Sequence, residues 1–169
     1  MSELILRRPT MDDGAAMWRI ARDSGVLDLN TSYAYLLMAH DFGATSTVAE
    51  ADGQVVGYVM SYLRPAAPDT LFVWQVGVDA SQRGQGVAGR MLQATVEATG
   101  ATALETTVTA DNDASNALFA GFARRHGATE EVTEFITPAH FPTDDVHDAE
   151  LLHRIAPLDP AAAAPGRTP

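Results

Sequence analysis

Apolar and polar positions along this chain follow two rhythms, a period near two where strands are predicted and near 3.6 where helices are. Leu4–Leu6 reads as a short first strand. Thr10 and Asp13 have capping-box spacing, in which each residue satisfies a backbone N–H left free at a helix start. The helix after it runs to about Ser24, with Met17, Ile20 and Ala21 inward. A second helix covers roughly Ser32–Phe42. Strands Ser46–Ala51 and Gln54–Tyr62 flank Asp52-Gly53, a dipeptide suited to a two-residue hairpin. Leu71–Val78 is mostly apolar, as in a strand buried on both faces.

Val87, Met91, Leu92, Thr95 and Val96 recur at helical spacing, which predicts a helix from about Gly84 to Thr99. A strand (Leu104–Thr109), a helix (Ser115–His126) and two more strands (Thr129–Ile136, Leu151–Ile155) follow. This order predicts one α/β domain over residues 1–156, built as a mixed sheet between helices. Residues 157–169 hold four prolines and no periodicity, and are expected to be a disordered tail.

Composition narrows the class. With 169 residues, 46% hydrophobic and 20% charged, the chain is an ordinary single globular domain. It has no apolar run near the roughly 18 residues of a membrane span, and its start lacks signal-peptide character. A cytoplasmic protein without a membrane partner is therefore expected. Cysteine is absent, which removes disulfides and thiolate catalysis. The formal charge is −11, and all 11 basic residues are arginine. That field opposes nucleic acid, whose affinity rests on phosphate neutralisation, and favours a cationic substrate.

Chemistry concentrates after the long apolar strand. Arg83-Gly84-Gln85-Gly86-Val87-Ala88 joins it to a helix, and glycine allows close backbone approach and positive φ. Free N–H groups and the helix dipole there suit a diphosphate, although a tight strand-to-helix turn needs the same residues. About 25 residues on, Asp111-Asn112-Asp113-Ala114-Ser115-Asn116-Ala117-Leu118-Phe119 closes a strand and opens a helix. Together, in this order, the two segments resemble the R-x-x-G-x-G/A loop and N-x-x-S-x-x-L-Y segment of the GNAT acetyltransferases. The resemblance implies the GNAT fold, a mixed and mostly antiparallel sheet flanked by helices, with acetyl-CoA as cosubstrate. It further implies cofactor contacts from Val76, Val78, Arg83, Gly84, Gln85, Gly86, Val87, Ala88, Asn112 and Phe119. Asn112 also suits a helix cap. Many GNAT enzymes carry tyrosine where this chain has Phe119. Phenylalanine has no proton to give, so another group, water or unassisted departure must serve the CoA thiolate.

Two further segments narrow the resemblance. Val26-Leu27-Asp28-Leu29-Asn30-Thr31-Ser32-Tyr33-Ala34-Tyr35 and Phe72-Val73-Trp74-Gln75-Val76 are similar to stretches of the L-2,4-diaminobutyrate acetyltransferases of ectoine biosynthesis. The likeness runs from about Leu4 to Pro157. It implies L-2,4-diaminobutyrate as substrate and a homodimer. It implicates Asp28, Tyr33, His147 and Glu150 in catalysis, and these four with Asn30 and Trp74 in holding substrate. Read as residues alone, Asp28 and Asn30 cap a helix or bind a ligand. Tyr33 and Tyr35 diverge by about 200° on a helix, so one faces the cleft while Tyr35 packs. Strict alternation puts Trp74 with Phe72, Val76 and Val78, opposite Leu71, Val73 and Gln75. His40, His126 and His153 have no identifiable partners. His147 and Glu150 are two metal-type ligands without a third, so no metal site is expected. Asp28, His147 and Glu150 stay open as candidate bases.

Overall fold

The computed structural model describes residues 3–162. Its strands are β1 (Ile5–Arg7), β2 (Thr47–Ala51), β3 (Gln54–Arg64), β4 (Ala67–Val78), β5 (Ala103–Val108), β6 (Thr129–Ile136) and β7 (Glu150–Ala156). The helices are α1 (Gly14–Ser24), α2 (Ser32–Asp41), α3 (Val87–Thr99) and α4 (Asp113–Arg125). The strands form one sheet in the order β1-β2-β3-β4-β5-β7-β6. Among the described residues only β4 and β5 run parallel; the other neighbours are antiparallel. This is the α/β arrangement the chain's rhythms predict.

Each sheet face buries its own cluster. Met17, Ile20 and Ala21 of α1 and Tyr35 of α2 pack on Tyr58 and Met60 of β3. On the opposite face Met91, Leu92 and Phe122 from α3 and α4 meet Leu104 and Ile155. Local chemistry explains the turns. Asp52 and Gly53 both take positive φ (51° and 76°), as a two-residue hairpin with right-handed strand twist requires. The Thr10 N–H donates to Asp13 Oδ2 at 2.7 Å and so starts the short turn that runs into α1.

Where α1 crosses α2, a Cβ on Gly14 would lie 2.9 Å from Leu36 Cα and 2.8 Å from its Cδ2. Backbone cannot yield as a side-chain tip can. Gly14→Ala is therefore expected to cost about 1–3 kcal/mol, an overpacking penalty. A thermal melt checks it: Tm should fall by several degrees, and an unchanged Tm would show that the two helices part freely.

Four details depart from the sequence reading. The β3–β4 hairpin is longer than expected and turns at Pro65-Ala66. Pro68 is tolerated because it precedes the start of β5 pairing at Thr70, beside a register shift. Helix α3 begins at Val87 rather than Gly84, because Gly84 and Gly86 hold left-handed φ values of 75° and 73°. Leu158 is buried, and its N–H donates to the Thr102 carbonyl at 2.7 Å, so packed chain continues past residue 156. The rest of the expected tail, 163–169, lies outside the described residues.

The fourth departure shapes the site. Met60 pairs with Gln75 and Ser61 with Val73, so Trp74 is an extra residue, a β-bulge in β4. It shifts the alternation by one. Leu71, Val73, Val76 and Val78 consequently face the α3/α4 side together, and Gln75 faces the α1/α2 side. The expected face assignments for Trp74 and Gln75 are corrected accordingly. Beyond the bulge the sheet also opens: β4 pairs with β5 only from Thr70 to Val73. From Trp74 to Val78, among the described residues, β4 has a free edge towards β5, at the carboxyl ends of two parallel strands.

Candidate active site

Two cavities meet at this opening. The larger, about 1110 Å³, runs from β4 along the start of α3 to α4. Val76, Val78, Arg83, Gly84, Gly86, Val87, Ala88 and Asn112 line it. Gln85 turns away and donates to the Ser81 carbonyl at 3.2 Å. An added Cβ on Gly84 or Gly86 would meet nothing within 4 Å, so both face open space. Their positive φ turns the loop so that, among the described residues, α3 begins without a side-chain cap. Orphan N–H groups and a positive helix end are thus presented at the cavity. Arg90 and Arg125, which the sequence reading did not single out, add two guanidinium groups to the same lining. This chemistry suits a long ligand bearing a diphosphate, such as acetyl-CoA. The free edge of β4 offers backbone donors and acceptors for an amide-bearing arm.

The smaller cavity, about 440 Å³, shares Val26, Leu27, Val76, Asn112 and Ser115 with the larger, so the two have a common wall. Asp28, Asn30, Trp74, His147 and Glu150 line it. The bulge leaves Trp74 43% exposed, at the cavity rather than in the core. The open question over Asp28 and Asn30 resolves against capping, because Thr31 caps α2 and accepts from the Ala34 N–H at 3.3 Å. Asn112 does cap α4, accepting from the Ser115 N–H at 3.1 Å. Phe119 is 3% exposed and lines the smaller cavity, so its ring is wall and core at once.

Tyr33 is placed differently from the expectation. It is 66% exposed and lines neither cavity, while Tyr35, fully buried, takes the inward direction. The helical divergence of i and i+2 forces that choice, and the α1/α2 core claims Tyr35.

At the mouth of the smaller cavity, residues distant in sequence converge. His147 Nε2 lies 3.8 Å from Glu150 Oε1 and 3.9 Å from Asp28 Oδ2. The expected pair of ligand-type groups is therefore a trio, whose ligand-type atoms all fall within 4.8 Å of one another. His147 Nδ1 contacts the Asp148 carbonyl at 2.7 Å, and its ring stacks on Phe141 at 4.1 Å. A carbonyl only accepts, so Nδ1 carries the proton and neutral His147 presents a lone pair at Nε2. The Asp148 carbonyl first, then the Glu150 and Asp28 carboxylates, holds the His147 imidazole above its ordinary range. The other histidines lie elsewhere. His153, expected to be partnerless, contacts Glu130 Oε1 through Nδ1 at 2.7 Å, and His40 contacts Asp41 at 2.7 Å. His126 lines the larger cavity, where burial lowers its pKa.

Comparison with known proteins places the chain. The family model described as the acetyltransferase (GNAT) family matches residues 14–122. An L-2,4-diaminobutyric acid acetyltransferase of Nocardia farcinica is 50% identical over 157 residues, 91% of this chain and 80% of the relative. The protein of that name from Streptomyces coelicolor is 49% identical over 162 residues, 93% of this chain and 95% of its own. Among solved structures, the diaminobutyrate acetyltransferase of Paenibacillus lautus, in complex with its substrate L-2,4-diaminobutyric acid and coenzyme A, superposes with a TM-score of 0.87. It is 39% identical and covers 93% of this chain and 96% of its own. The glycine loop, the opening between β4 and β5 and these relatives agree: the chain belongs to the L-2,4-diaminobutyric acid acetyltransferases of the GNAT family.

Proposed function

We infer that this protein transfers the acetyl group of acetyl-CoA to the 4-amino group of L-2,4-diaminobutyrate, giving N4-acetyl-L-2,4-diaminobutyrate in ectoine biosynthesis. The observation that carries this reading is the pairing of two cavities across one wall. One suits a diphosphate ligand, and the other holds Asp28, His147 and Glu150 around a small gap. An ammonium offers three donors, and this trio offers carboxylate oxygens and, from neutral His147, a nitrogen lone pair.

The nucleophile starts as an ammonium, with a pKa near but below lysine's ~10.4, so neutralising it near pH 7 costs up to roughly 4 kcal/mol. Asp28 anchors one ammonium of the substrate. The other gives its proton to His147 Nε2, directly or through water, and Glu150 and Asp28 stabilise the imidazolium formed. Trp74 walls the substrate's short aliphatic chain, and Asn30 closes the loop side of the cavity. Acetyl-CoA supplies the thioester that the freed amine attacks. Arg83, Arg90, Arg125 and the Gly84–Ala88 backbone would hold its phosphates, and the β4 edge at Val76 and Val78 its pantetheine. A backbone N–H on that edge would polarise the thioester carbonyl. The same reading makes the enzyme a cytoplasmic homodimer whose partners are these small molecules, with neither nucleic acid nor membrane. Its charge of −11 opposes a nucleic-acid partner, and no helix among the described residues is long and apolar enough to cross a membrane.

Thiol-release rates with diaminobutyrate, polyamines, peptide N-termini and aminoglycosides test the substrate. Diaminobutyrate should give by far the highest kcat/KM, and a better rate with any other class would overturn the assignment.

A pH profile tests the base. A raised His147 pKa favours the protonated, inactive form at lower pH, so activity should rise with pH along a limb centred above the ordinary value of 6.5. Glu150→Gln removes one of the carboxylates that favour the imidazolium and should move that limb to lower pH. A limb that stays in place would show that another group accepts the proton.

A further inference from the structure

Gln75 is the residue the bulge at Trp74 redirects. It is 8% exposed and lies where three segments meet. Its Nε2 donates to the Asp28 backbone carbonyl at 2.8 Å. Since that carbonyl only accepts, the amide orientation is set, and Oε1 faces the other way. There it accepts from Tyr35 O–H at 2.9 Å and from Tyr58 O–H at 2.6 Å. Burial pushes the Tyr58 phenol well above its ordinary range, so it remains a donor. Both tyrosine rings are fully buried and meet edge to face, with centroids 6.2 Å apart. Gly77 makes room for this: a Cβ there would fall 2.5 Å from Tyr58 Cε1.

The Asp28 side chain is 90% exposed and, among the described residues, makes no hydrogen bond; His147 Nε2 stands 3.9 Å from its Oδ2. Its segment lies between the end of α1 at Ser24 and the start of α2 at Ser32, outside any regular element. Gln75 ties the Asp28 backbone directly to the sheet, through an amide held by two core phenols. A strand without the bulge would aim residue 75 at the opposite face and leave the Asp28 carbonyl without this donor.

We propose that Gln75 is a positioning residue that fixes Asp28 at the acceptor cavity through the Tyr35–Gln75–Tyr58 cluster. This rests on the reading of Asp28 as the ammonium anchor. Gln75 acts on where the carboxylate stands, and the amide itself takes no part in proton transfer.

The test pairs a structural with a kinetic readout. Gln75→Met keeps the length of the side chain and removes all three hydrogen bonds. Amide hydrogen exchange over Leu27–Asn30 should speed up in this variant, while the core strands keep their protection. Its KM for diaminobutyrate should rise about 3- to 10-fold, the worth of a neutral hydrogen bond, with the KM for acetyl-CoA unchanged. In an Asp28→Asn background the same substitution should add less than about twofold, because its effect runs through the missing charge. If Gln75→Met fails to fold, Tyr35→Phe removes one anchor of the amide and should shift exchange and KM the same way by less. Unchanged exchange, or losses that simply add in the double variant, would overturn the assignment of Gln75. Unaltered diaminobutyrate kinetics in Asp28→Asn alone would overturn the anchor reading instead, so the two failures are distinguishable.

Discussion

Asp28→Asn is expected to lower kcat/KM for L-2,4-diaminobutyrate about 10- to 150-fold, because a charge-assisted hydrogen bond is worth roughly 1.5–3 kcal/mol. The substitution keeps the size, removes the charge and replaces one of the two acceptor oxygens with an amide donor. Stability should hardly change. Thr31 caps α2, and the tether from Gln75 ends on the Asp28 backbone, which the variant retains. The KM for acetyl-CoA should also stay constant, since Asp28 lines the smaller cavity and not the larger. Steady-state kinetics with each substrate varied in turn separate these quantities. Unchanged diaminobutyrate kinetics would move the anchoring role to Glu150, the remaining carboxylate of the trio.

Gly86→Val should have an effect of similar size on the other substrate. The new side chain points into open space on the cavity side, where the loop would meet a diphosphate. Loss of one charge-assisted contact alone raises the KM for acetyl-CoA about 10- to 150-fold. The left-handed φ of 73° adds a strain of roughly 1–2 kcal/mol for a side chain, which lowers Tm whatever the function of the loop. Gly100→Val is the matching control: its φ is 69°, its Cβ also meets nothing within 4 Å, and it lies at the far end of α3. That variant should share the loss of Tm and keep the wild-type KM. Equal KM values in the two variants would mean that the diphosphate binds elsewhere.

Much of this molecule was legible in its residues because local chemistry decides those parts. Asp52-Gly53 names its hairpin, and Thr10 and Asp13 name a helix start. The resemblance carried in the Asp28 and Trp74 segments led to the family that the relatives show. What escaped depended on tertiary context. One extra residue at Trp74 reverses the side-chain phase of the rest of β4, and alternation alone carries no mark of it. Gln75 was missed for the same reason, since its partners lie 40 and 17 residues away in sequence. The cap at Thr31 was overlooked beside the more conspicuous Asp28 and Asn30. His147 and Glu150 gained Asp28 as a third neighbour only when the loop before α2 folded over the sheet. The bond between His153 and Glu130 likewise needs β6 and β7 side by side. The buried Leu158 shows that a proline-rich, aperiodic end can still contribute one core residue.

The position of the transferred acetyl group reports on how the two cavities hold both substrates. Diaminobutyrate carries two amines, and with Asp28 holding one the other meets the thioester near His147. Purified protein, acetyl-CoA and L-2,4-diaminobutyrate should yield a single product, and two-dimensional NMR should place the acetyl group on the 4-amino nitrogen. Acetylation at the 2-amino nitrogen, or no product from diaminobutyrate while another amine is acetylated, would contradict it.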